Sequence, residues 1–391
     1  MSFLNEAKRL LKQNIREYGM YIALVVIMIT FSIATGGLFM SSRNISNLIN
    51  QTGYIAVLAV GMTLVMVIKH IDLSVGFLAG FLGAIAAILM MQLNVPIFVT
   101  ILLVLFFGTL IGTFTGFLVA KMGIPAFVAS LAAMLVFRGA LLQVTEGTGT
   151  IVISKKAFNA IGNGYIPDLF SVDGLHILTL IIGLIGILGF VISEVKTRND
   201  KMKYNFEVLS KTMFTIKLVA ISAVIGYITW ILAGYNGLSW TVVVVIAVVM
   251  VYHFITSKTV LGRHIYAIGG NAEAARLSGI NVEKITMIVF ASMGLLSALA
   301  GILFTARLQS ATTTAGTLFE LDAIAAAYVG GVSANGGVGK VTGSIIGAFV
   351  MASLVNGMNL IGVGISYQYI IRGVVLVAAV IFDVKTRNTS K

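Results

Sequence analysis

The chain has 391 residues, of which 58% are hydrophobic and 10% are charged, with a mean hydropathy of +1.03. Soluble domains carry about 25% charged residues, so this composition excludes a water-soluble globular protein and indicates an integral membrane protein. The net charge of +12 does not indicate nucleic-acid binding here, because basic residues of a membrane protein report its orientation. The absence of cysteine excludes disulfides, thiolate metal sites and a cysteine nucleophile. The four histidines do not lie at ligand spacing, so we expect no metal site.

Apolar stretches longer than about 18 residues divide the chain into candidate membrane spans. Twelve such spans are predicted, at 19–38, 48–68, 73–91, 96–120, 124–143, 174–193, 215–234, 238–256, 284–306, 318–333, 341–361 and 366–383. An outer-membrane barrel is excluded, because its strands are only about 10 residues long and alternate in character. We therefore predict an all-α polytopic membrane protein with about 12 transmembrane helices.

The lysines and arginines predict the orientation of these spans. With a cytoplasmic N-terminus, 20 of the 26 basic residues fall inside and four fall outside, as the positive-inside rule requires. Residues 1–18 are then a retained cytoplasmic tail, 19–383 a single transmembrane domain and 384–391 a second cytoplasmic tail. The mixed charge run 194–217 also falls inside, where we expect a solvated loop.

Two connections are too short or too glycine-rich for ordinary loops. Only residues 69–72 separate the second and third spans, and six glycines lie among the 14 residues 330–343. Both segments are candidates for broken or re-entrant helices, which membranes tolerate where protein covers the freed backbone groups.

The polar cytoplasmic segment 257–283 predicts a short helix that projects from the bundle. Asn271 is suited to cap the N-terminus of this helix, and Gly279 is suited to end it. A capped helix of this kind can dock into a partner protein, whereas the alternative is an ordinary loop helix.

The same segment resembles a known family. Glu273, Ala274 and Ala275, followed after three residues by Gly279, match the EAA-x-x-x-G pattern of ABC importer permeases. Residues 266–282 are very similar to monosaccharide permeases of the ribose, galactose and xylose type. Further stretches at 59–76, 320–339 and 356–370 agree, so the resemblance extends from about residue 40 to 383. The chain resembles the longer xylose-permease branch, in which a helix pair, here at about 170–240, is inserted into a ten-helix core.

This resemblance implies the permease subunit of an ATP-driven importer of xylose or a related sugar in the bacterial cytoplasmic membrane. In that family two permease copies form the pathway, an ABC ATPase with two nucleotide-binding domains hydrolyses ATP with Mg, and an extracytoplasmic binding protein delivers the sugar. One chain that carries all the motifs favours a homodimer. The resemblance assigns these residues to the coupling helix that fits the ATPase groove: Gly269, Gly270, Asn271, Glu273, Ala274, Ala275 and Gly279.

The chain itself is expected to be a transport subunit without enzymatic activity or a bound cofactor. Its nearest phosphate-loop pattern has Ala334 in place of the first glycine and Val341 in place of the magnesium-binding serine or threonine. We expect this stretch to be a helix-breaking turn.

Ionisable side chains within the spans are the other candidates, because an unpaired charge at a helix centre costs about 2.5–3.5 kcal/mol. We expect Asp72, Arg138, Glu320, Asp322 and Arg372 to form structural ion pairs or to cap carbonyls, with Arg138 facing the bundle interior beside a partner. A neutral sugar needs amide and hydroxyl groups more than charges. The candidates for the translocation path are Asn50, Gln51, Asp72, Ser74, Asn356 and Asn359.

Two other classes of function compete with the importer. An ion-coupled secondary transporter would use Asp72, Glu320 and Asp322 as cation or proton sites and the glycine-rich breaks as discontinuous helices. Such a transporter has no use for the EAA-type loop, which argues against it. A membrane enzyme would need a nucleophile with its base or a metal cluster, and the sequence contains neither pattern.

Overall fold

The computed structural model describes residues 15–147, 149–169, 171–172 and 174–388. The predicted tails therefore lie partly outside the described residues, from 1 to 14 and from 389 to 391. Fifteen α-helices are described: α1 (Ile15–Ala34), α2 (Ser42–Val67), α3 (Val75–Met91), α4 (Ile97–Ala120), α5 (Ala126–Thr145), α6 (Lys156–Asn163), α7 (Ile177–Lys203), α8 (Lys211–Ala233), α9 (Trp240–Lys258), α10 (Val260–Gly270), α11 (Ala272–Leu277), α12 (Val282–Leu308), α13 (Phe319–Val329), α14 (Val341–Leu360) and α15 (Ile365–Asn388). The described strands are β1 (Thr150–Val152), β2 (Ser171–Val172), β3 (Leu175–His176) and β4 (Ser310–Thr312).

Each of the twelve predicted spans coincides with one of these helices. Within the described residues, nine helices are long and apolar enough to cross a membrane, namely α2, α4, α5, α7, α8, α9, α12, α14 and α15. The apolar parts of α1 and α3 are shorter, and α13 has only 11 residues. At 1.5 Å per residue α13 is about 16 Å long, well short of a hydrocarbon core of about 30 Å. The all-α polytopic membrane fold is confirmed, and the number of twelve crossings stays a prediction.

The centre of the bundle is formed by α2 and α12. Helix α12 packs against α4, α3 and α2, and α2 also packs against α13 and α14. Glycine makes the closest of these contacts possible, because a Cβ atom at Gly294 of α12 would overlap the carbonyl oxygen of Gly108 of α4. Lipid chains are as apolar as leucine, so such small-residue contacts, rather than apolar burial, hold helices together in membranes.

The helix pair that the resemblance treats as an insertion, α7 and α8, is a peripheral hairpin, since the two helices pack mainly on each other. The expectation of a solvated loop at 194–217 holds only for residues 204–210, because α7 continues as a helix to Lys203 and α8 begins at Lys211. Glu, Lys and Arg are good helix formers, so a charge run can extend a helix into water. The extension is tied to α8 by a 2.8 Å ion pair between Lys217 and Glu194 and by the Arg198 guanidinium, 4.6 Å from the Phe214 ring centroid.

The predicted outer face carries β1, β4 and α6. Strand β1 pairs antiparallel with β4, with Ile151 opposite Ala311. The side-chain amide of Asn163 donates to the carbonyl oxygen of Arg307 at 2.6 Å, which fixes α6 to the end of α12. Nearby, the Asp168 carboxylate accepts hydrogen bonds from the backbone N–H groups of Ile177 and Leu178 at 2.7 and 2.9 Å and so caps α7.

The short helices α3 and α13 start against each other inside the bundle. A Cβ atom at Gly76 of α3 would overlap the Glu320 carboxylate of α13 and the carbonyl oxygen of Gly316. Residues 68–74 and 330–340 are non-helical, as the sequence predicts, and residues 313–317 before α13 lie in the predicted connection between spans 284–306 and 318–333. The predicted span 318–333 is longer than the observed helix, which ends at Val329.

Candidate functional site

Two short helices on the predicted cytoplasmic face, α10 and α11, form the projecting unit expected from the sequence. The Asn271 side chain accepts hydrogen bonds from the backbone N–H groups of Glu273 and Ala274, at 3.0 and 3.1 Å. This is the geometry of a helix N-cap, which satisfies N–H groups that have no partner within the helix. The predicted capping role of Asn271 is confirmed.

Helix α11 ends in a Schellman motif centred on Gly279. The N–H of Gly279 donates to the carbonyl of Arg276 at 2.9 Å, and the N–H of Ile280 donates to the carbonyl of Ala275 at 3.0 Å. Gly279 has φ of +84°, a left-handed conformation that glycine adopts without steric cost. The prediction that Gly279 ends the helix is confirmed as well.

Helix α11 is held by one side chain and presents the rest to solvent. Ala275 is buried against the bundle, whereas Glu273, Ala274, Arg276 and Leu277 are exposed. Leu277 is 82% exposed, an unusual position for a leucine in a polar segment outside the membrane. A short, rigid helix with charged groups around an exposed apolar side chain has the shape and chemistry suited to protein docking. For this reason the unit formed by α10 and α11, residues 260–277, is named the docking element.

The docking element is seated on the bundle by backbone contacts. A Cβ atom at Gly269 would overlap the carbonyl oxygen of Val67 and would lie 2.6 Å from the backbone nitrogen of Gly337. The Lys69 ammonium donates to the carbonyl of Gly270 at 3.2 Å. One cavity on the predicted cytoplasmic face is thus lined by residues 69, 269–270 and 334–338. In this cavity α10 meets the end of α2 and the glycine-rich turn.

The glycine-rich turn is also tied to α10 by a tyrosine. The Tyr266 hydroxyl donates to the carbonyl of Gly339 at 2.6 Å. Burial raises the pKa of this phenol, so it keeps its proton and its role as donor. The positive φ angles of Gly336 and Gly337, +71° and +72°, confirm that this stretch is a turn.

Three of the predicted path residues lie in interhelical contacts. Asn50 is buried, its amide oxygen accepts from the Ser239 hydroxyl, and its amide nitrogen donates to Tyr165 at 3.3 Å. Asn356 and Asn44 exchange two amide hydrogen bonds of 2.9 and 3.1 Å, which clamp α14 to α2.

Asn359 accepts from the Gln368 side-chain amide at 2.7 Å and so joins α14 to α15. All three predicted asparagines therefore hold helices together, and their amides are already engaged by protein groups. The sequence alone does not show this, because each partner lies on another element.

Two of the other predicted path residues, Asp72 and Ser74, lie in the break before α3. Asp72 is buried and accepts hydrogen bonds from the backbone N–H and the hydroxyl of Ser74, at 2.9 and 2.6 Å. This turn closes the non-helical segment before α3, so Asp72 holds an N–H and a hydroxyl group instead of the ion pair or carbonyl expected from the sequence. Gln51 is half-buried on α2, one residue beyond Asn50.

The ionisable residues of the spans divide into two groups. Arg372 of α15 donates to both carboxylate oxygens of Asp322 of α13 at 3.3 Å, which confirms the expected structural ion pair. Glu320 lies one position from the start of α13 and is 6% exposed, and its Oε2 atom has no hydrogen-bond partner among the described residues. Within the part of the chain that the structure describes, no group of three or more His, Asp or Glu side chains could hold a metal ion.

The expectation that Arg138 faces the bundle interior is wrong for this chain. Arg138 is exposed on α5, and its guanidinium carbon lies 5.6 Å from the centroid of the Phe77 ring. The adjacent Gly139 has no atom of a neighbouring helix within 4 Å. A cation over an aromatic face is stabilised without a carboxylate, so Arg138 does not require an interior partner.

Sequence reasoning missed the groups that join these predicted residues. Val67, Lys69 and Tyr266 seat the docking element, and Tyr369 lines the space beside the Asp322–Arg372 pair. Among these residues only Lys69 gives a signal in the sequence, as the single lysine of the short connection 69–72, and this signal does not identify Gly270 as its partner. The valine and the two tyrosines give no signal, because both residue types are common in spans.

Comparison with known proteins agrees with this architecture. The family BPD_transp_2, described as the permease component of branched-chain amino acid transport systems, matches residues 44–380. The xylose transport system permease protein XylH of Haemophilus influenzae is 42% identical over 377 residues, which cover 96% of this chain and 98% of that protein. XylH of Escherichia coli K12 is 39% identical over 377 residues, covering 96% of this chain and 94% of the relative.

A ribose permease is also similar. The ribose import permease protein RbsC of Haemophilus influenzae is 36% identical over 370 residues, which cover 94% of this chain and 93% of that protein. No solved structure matches the chain. The family match over most of the chain and the similarity to bacterial permeases along nearly its whole length are sufficient to place it. The chain belongs to the BPD_transp_2 family of transport-system permease components and is a multi-pass protein of the bacterial cytoplasmic membrane.

Proposed function

We propose that this chain is the permease subunit of an ATP-driven monosaccharide importer, with xylose or a related pentose as its substrate. The observation that carries the proposal is the exposed, doubly capped helix α11, which presents the EAA-type residues on a unit seated against the centre of the bundle. The similarity to xylose and ribose permeases supports the substrate class.

In this proposal α11 is the coupling helix. Glu273, Arg276 and Leu277 would contact an ABC ATPase subunit with two nucleotide-binding domains, which holds ATP and Mg. Asn271 and Gly279 would keep α11 rigid, so that a displacement imposed by the ATPase moves α10 as well. A second permease copy would complete the pathway, and an extracytoplasmic binding protein would deliver the sugar.

The ion-coupled alternative is less well supported by the described groups. Asp322 is paired with Arg372, and Asp72 is engaged with Ser74, so two of the three carboxylates proposed as ion sites already have partners. Glu320, the third of these carboxylates, is buried and has an oxygen without a hydrogen-bond partner among the described residues. An exposed leucine on a cytoplasmic helix has no role in ion coupling.

The substrate needs a direct test, because the family description names branched-chain amino acids and the relatives named above carry sugar names. The gene would be deleted in its host, and initial uptake of radiolabelled xylose, ribose and leucine would be measured at micromolar concentration. We expect high-affinity uptake of one monosaccharide to be lost and to be restored by the gene on a plasmid, while leucine uptake is unchanged throughout. Loss of leucine uptake with intact sugar uptake would end the sugar proposal.

The energy source is tested in the same strain. Uptake should survive a protonophore in cells that can still make ATP by fermentation, and it should stop when ATP is depleted. Uptake that follows the proton gradient rather than ATP would favour the ion-coupled transporter.

A further inference from the structure

The space between α13, α14 and α15 contains a cavity with an unusual lining. Its volume is about 480 Å³, within the range of about 300–1,000 Å³ of small-molecule sites. Aliphatic residues, among them Leu321 and Met351, form most of its wall. The polar part consists of Thr317, Asp322, Tyr369 and Arg372.

The ion pair in this wall leaves hydrogen-bonding capacity unused. Both carboxylate oxygens of Asp322 accept hydrogen bonds from the same Nη1 atom of Arg372, at 3.3 Å each. A fully matched pair would instead place two guanidinium nitrogens against the two oxygens. The Nε atom of Arg372 is buried and has no acceptor among the described residues. Buried donors without a partner are rare in proteins, and one on a cavity wall indicates a ligand with acceptor atoms.

The remaining polar residues suit a sugar better than an ion. Tyr369 is 50% exposed and offers an aromatic face, against which the apolar face of a sugar ring can pack. Thr317 is exposed and carries a hydroxyl group, and its own proton is donated to the carbonyl of Thr314 at 2.8 Å. Its oxygen therefore remains an acceptor for a ligand hydroxyl.

The depth of the cavity fits entry from the outer side. Arg372 follows Ile365, the first residue of α15, by about 10 Å of helix. In the predicted topology that end of α15 is extracytoplasmic, so the cavity lies in the outer half of the membrane. A sugar released from an extracytoplasmic binding protein would reach this depth first.

We propose that the cavity lined by Thr317, Asp322, Tyr369 and Arg372 is a contact site for the translocated monosaccharide. This proposal rests on the proposed function and adds the location at which the permease itself holds the sugar. The Arg372 guanidinium and the Asp322 carboxylate bind sugar hydroxyls, and the Tyr369 ring packs against the sugar ring.

The first experiment measures initial uptake of radiolabelled D-xylose in the deletion strain that carries the full transport system. Tyr369→Leu should lower uptake at least about tenfold, equivalent to about 1.4 kcal/mol, whereas Tyr369→Phe keeps the ring and should stay within about twofold of wild type. Tyr367→Leu is the matched control, because Tyr367 is 67% exposed on the same helix and lies outside the cavity wall. The amount of each variant in the membrane is measured alongside.

A second variant separates sugar contact from ion pairing. Arg372→Lys keeps a positive charge beside Asp322 but removes the Nε donor and the planar group. If Arg372 serves only the ion pair, this variant should transport xylose at close to the wild-type rate. Sugar contact predicts a fall of about tenfold at an unchanged amount of protein in the membrane.

The third experiment acts on protein that is already folded, so it does not depend on the stability of a variant. The natural chain has no cysteine, which makes a single introduced thiol specific. An impermeant methanethiosulfonate reagent added to cells should block xylose uptake by Thr317→Cys, and saturating xylose should slow the block. The same treatment of Tyr367→Cys should leave uptake unchanged.

The outcomes separate this proposal from the proposed function. If wild-type cells take up xylose but Tyr369→Leu, Arg372→Lys and modified Thr317→Cys all retain normal uptake, the cavity holds lipid rather than sugar and the proposal fails alone. An equal loss in the Tyr367 controls would also overturn it. If the wild-type chain carries no monosaccharide, the proposed function fails and the cavity proposal fails with it.

Discussion

The carbonyl oxygen of Val67 accepts a 2.8 Å hydrogen bond from the backbone N–H of Gly337. Val67 is the last residue of α2, and Gly337 lies in the turn before α14, so this bond joins the central helix to the glycine-rich segment. Gly269 of α10 fits against the same two backbone groups. At Gly269 the docking element therefore meets the bundle backbone to backbone, and no flexible side chain lies between them at this point to absorb a movement.

Gly269→Ala should destabilise the protein by about 1–3 kcal/mol, because the new methyl group overlaps the Val67 carbonyl oxygen and backbone cannot yield easily. The measurement is the midpoint of thermal unfolding of the purified protein in detergent. Gly270→Ala is the control, since a Cβ atom at Gly270 meets no atom within 4 Å. Equal midpoints for the two variants would show that α10 is not seated as described.

Gly279→Asp should leave the permease inserted but abolish binding-protein-stimulated ATP hydrolysis and weaken association with the ATPase. A side chain at φ of +84° costs about 1 kcal/mol or more, and the added carboxylate would project from the surface that α11 presents. The readouts are ATPase activity and co-purification of the reconstituted complex.

Gly123→Asp is the matched control for that variant. Gly123 also has a positive φ, +71°, with no atom within 4 Å of a Cβ, and it lies in another connection on the predicted cytoplasmic face. Gly123→Asp therefore imposes the same backbone strain and adds the same charge as Gly279→Asp. Complexes with Gly279→Asp that still couple ATP hydrolysis to uptake at the wild-type ratio would falsify the coupling role of α11.

Cysteines introduced at Asn163 and Asn199 should be modified from opposite sides of the membrane by an impermeant thiol reagent. Both positions are exposed, so accessibility within the protein does not limit the reaction. We expect Asn163→Cys to react in intact cells and Asn199→Cys only in inverted vesicles. Reaction of both from one side would discard the predicted orientation.

Arg138→Leu is expected to lower the thermal unfolding midpoint only slightly. The cation–π contact that it removes contributes only about 0.5–1 kcal/mol to the free energy of unfolding. The reason is that Arg138 is exposed and stacks on Phe77, with no buried acceptor that would be left unpaired. Arg372→Leu provides the contrast, because it leaves the Asp322 carboxylate without its cation. A larger effect of Arg138→Leu in the purified protein would indicate an interior partner contributed by a second copy.

The cap formed by Asp168 should weaken in acid. Partial burial acts to raise the pKa of this carboxyl, but three backbone N–H groups and the nearby His176 ring outweigh it and hold the pKa below its usual value. Because the folded-state pKa is lowered, the contribution to stability is fully present above the unfolded value of about 3.9 and is lost as the pH falls through the folded value.

We therefore expect Asp168→Asn to lower the thermal midpoint at pH 7, with a difference from wild type that persists down to about pH 4 and shrinks as the pH falls further. Asp200→Asn, an exposed aspartate on the extension of α7, controls for the loss of a surface charge. A difference for Asp168→Asn that stays constant with pH would contradict the capping role.

The docking element shows how much of a site local sequence can predict. Asn271 and Gly279 act on N–H and carbonyl groups within a few residues of themselves, so their roles follow from the order of residues alone. The contact beneath them does not, because Gly269, Val67 and Gly337 come from three distant parts of the chain. Glycine at a close approach and glycine in a loop look alike in a sequence.

The sequence by itself determined the membrane class and the positions of the long apolar helices, because long apolar runs act through their transfer between water and lipid. Tertiary structure alone decided which side chain each polar group meets. Asn44 and Asn356 pair across 312 positions, and Arg138 lies on an open face rather than inside. Tertiary structure also decided that α13 is only 11 residues long. A helix can end inside the bundle only where neighbouring helices satisfy and cover its free backbone groups.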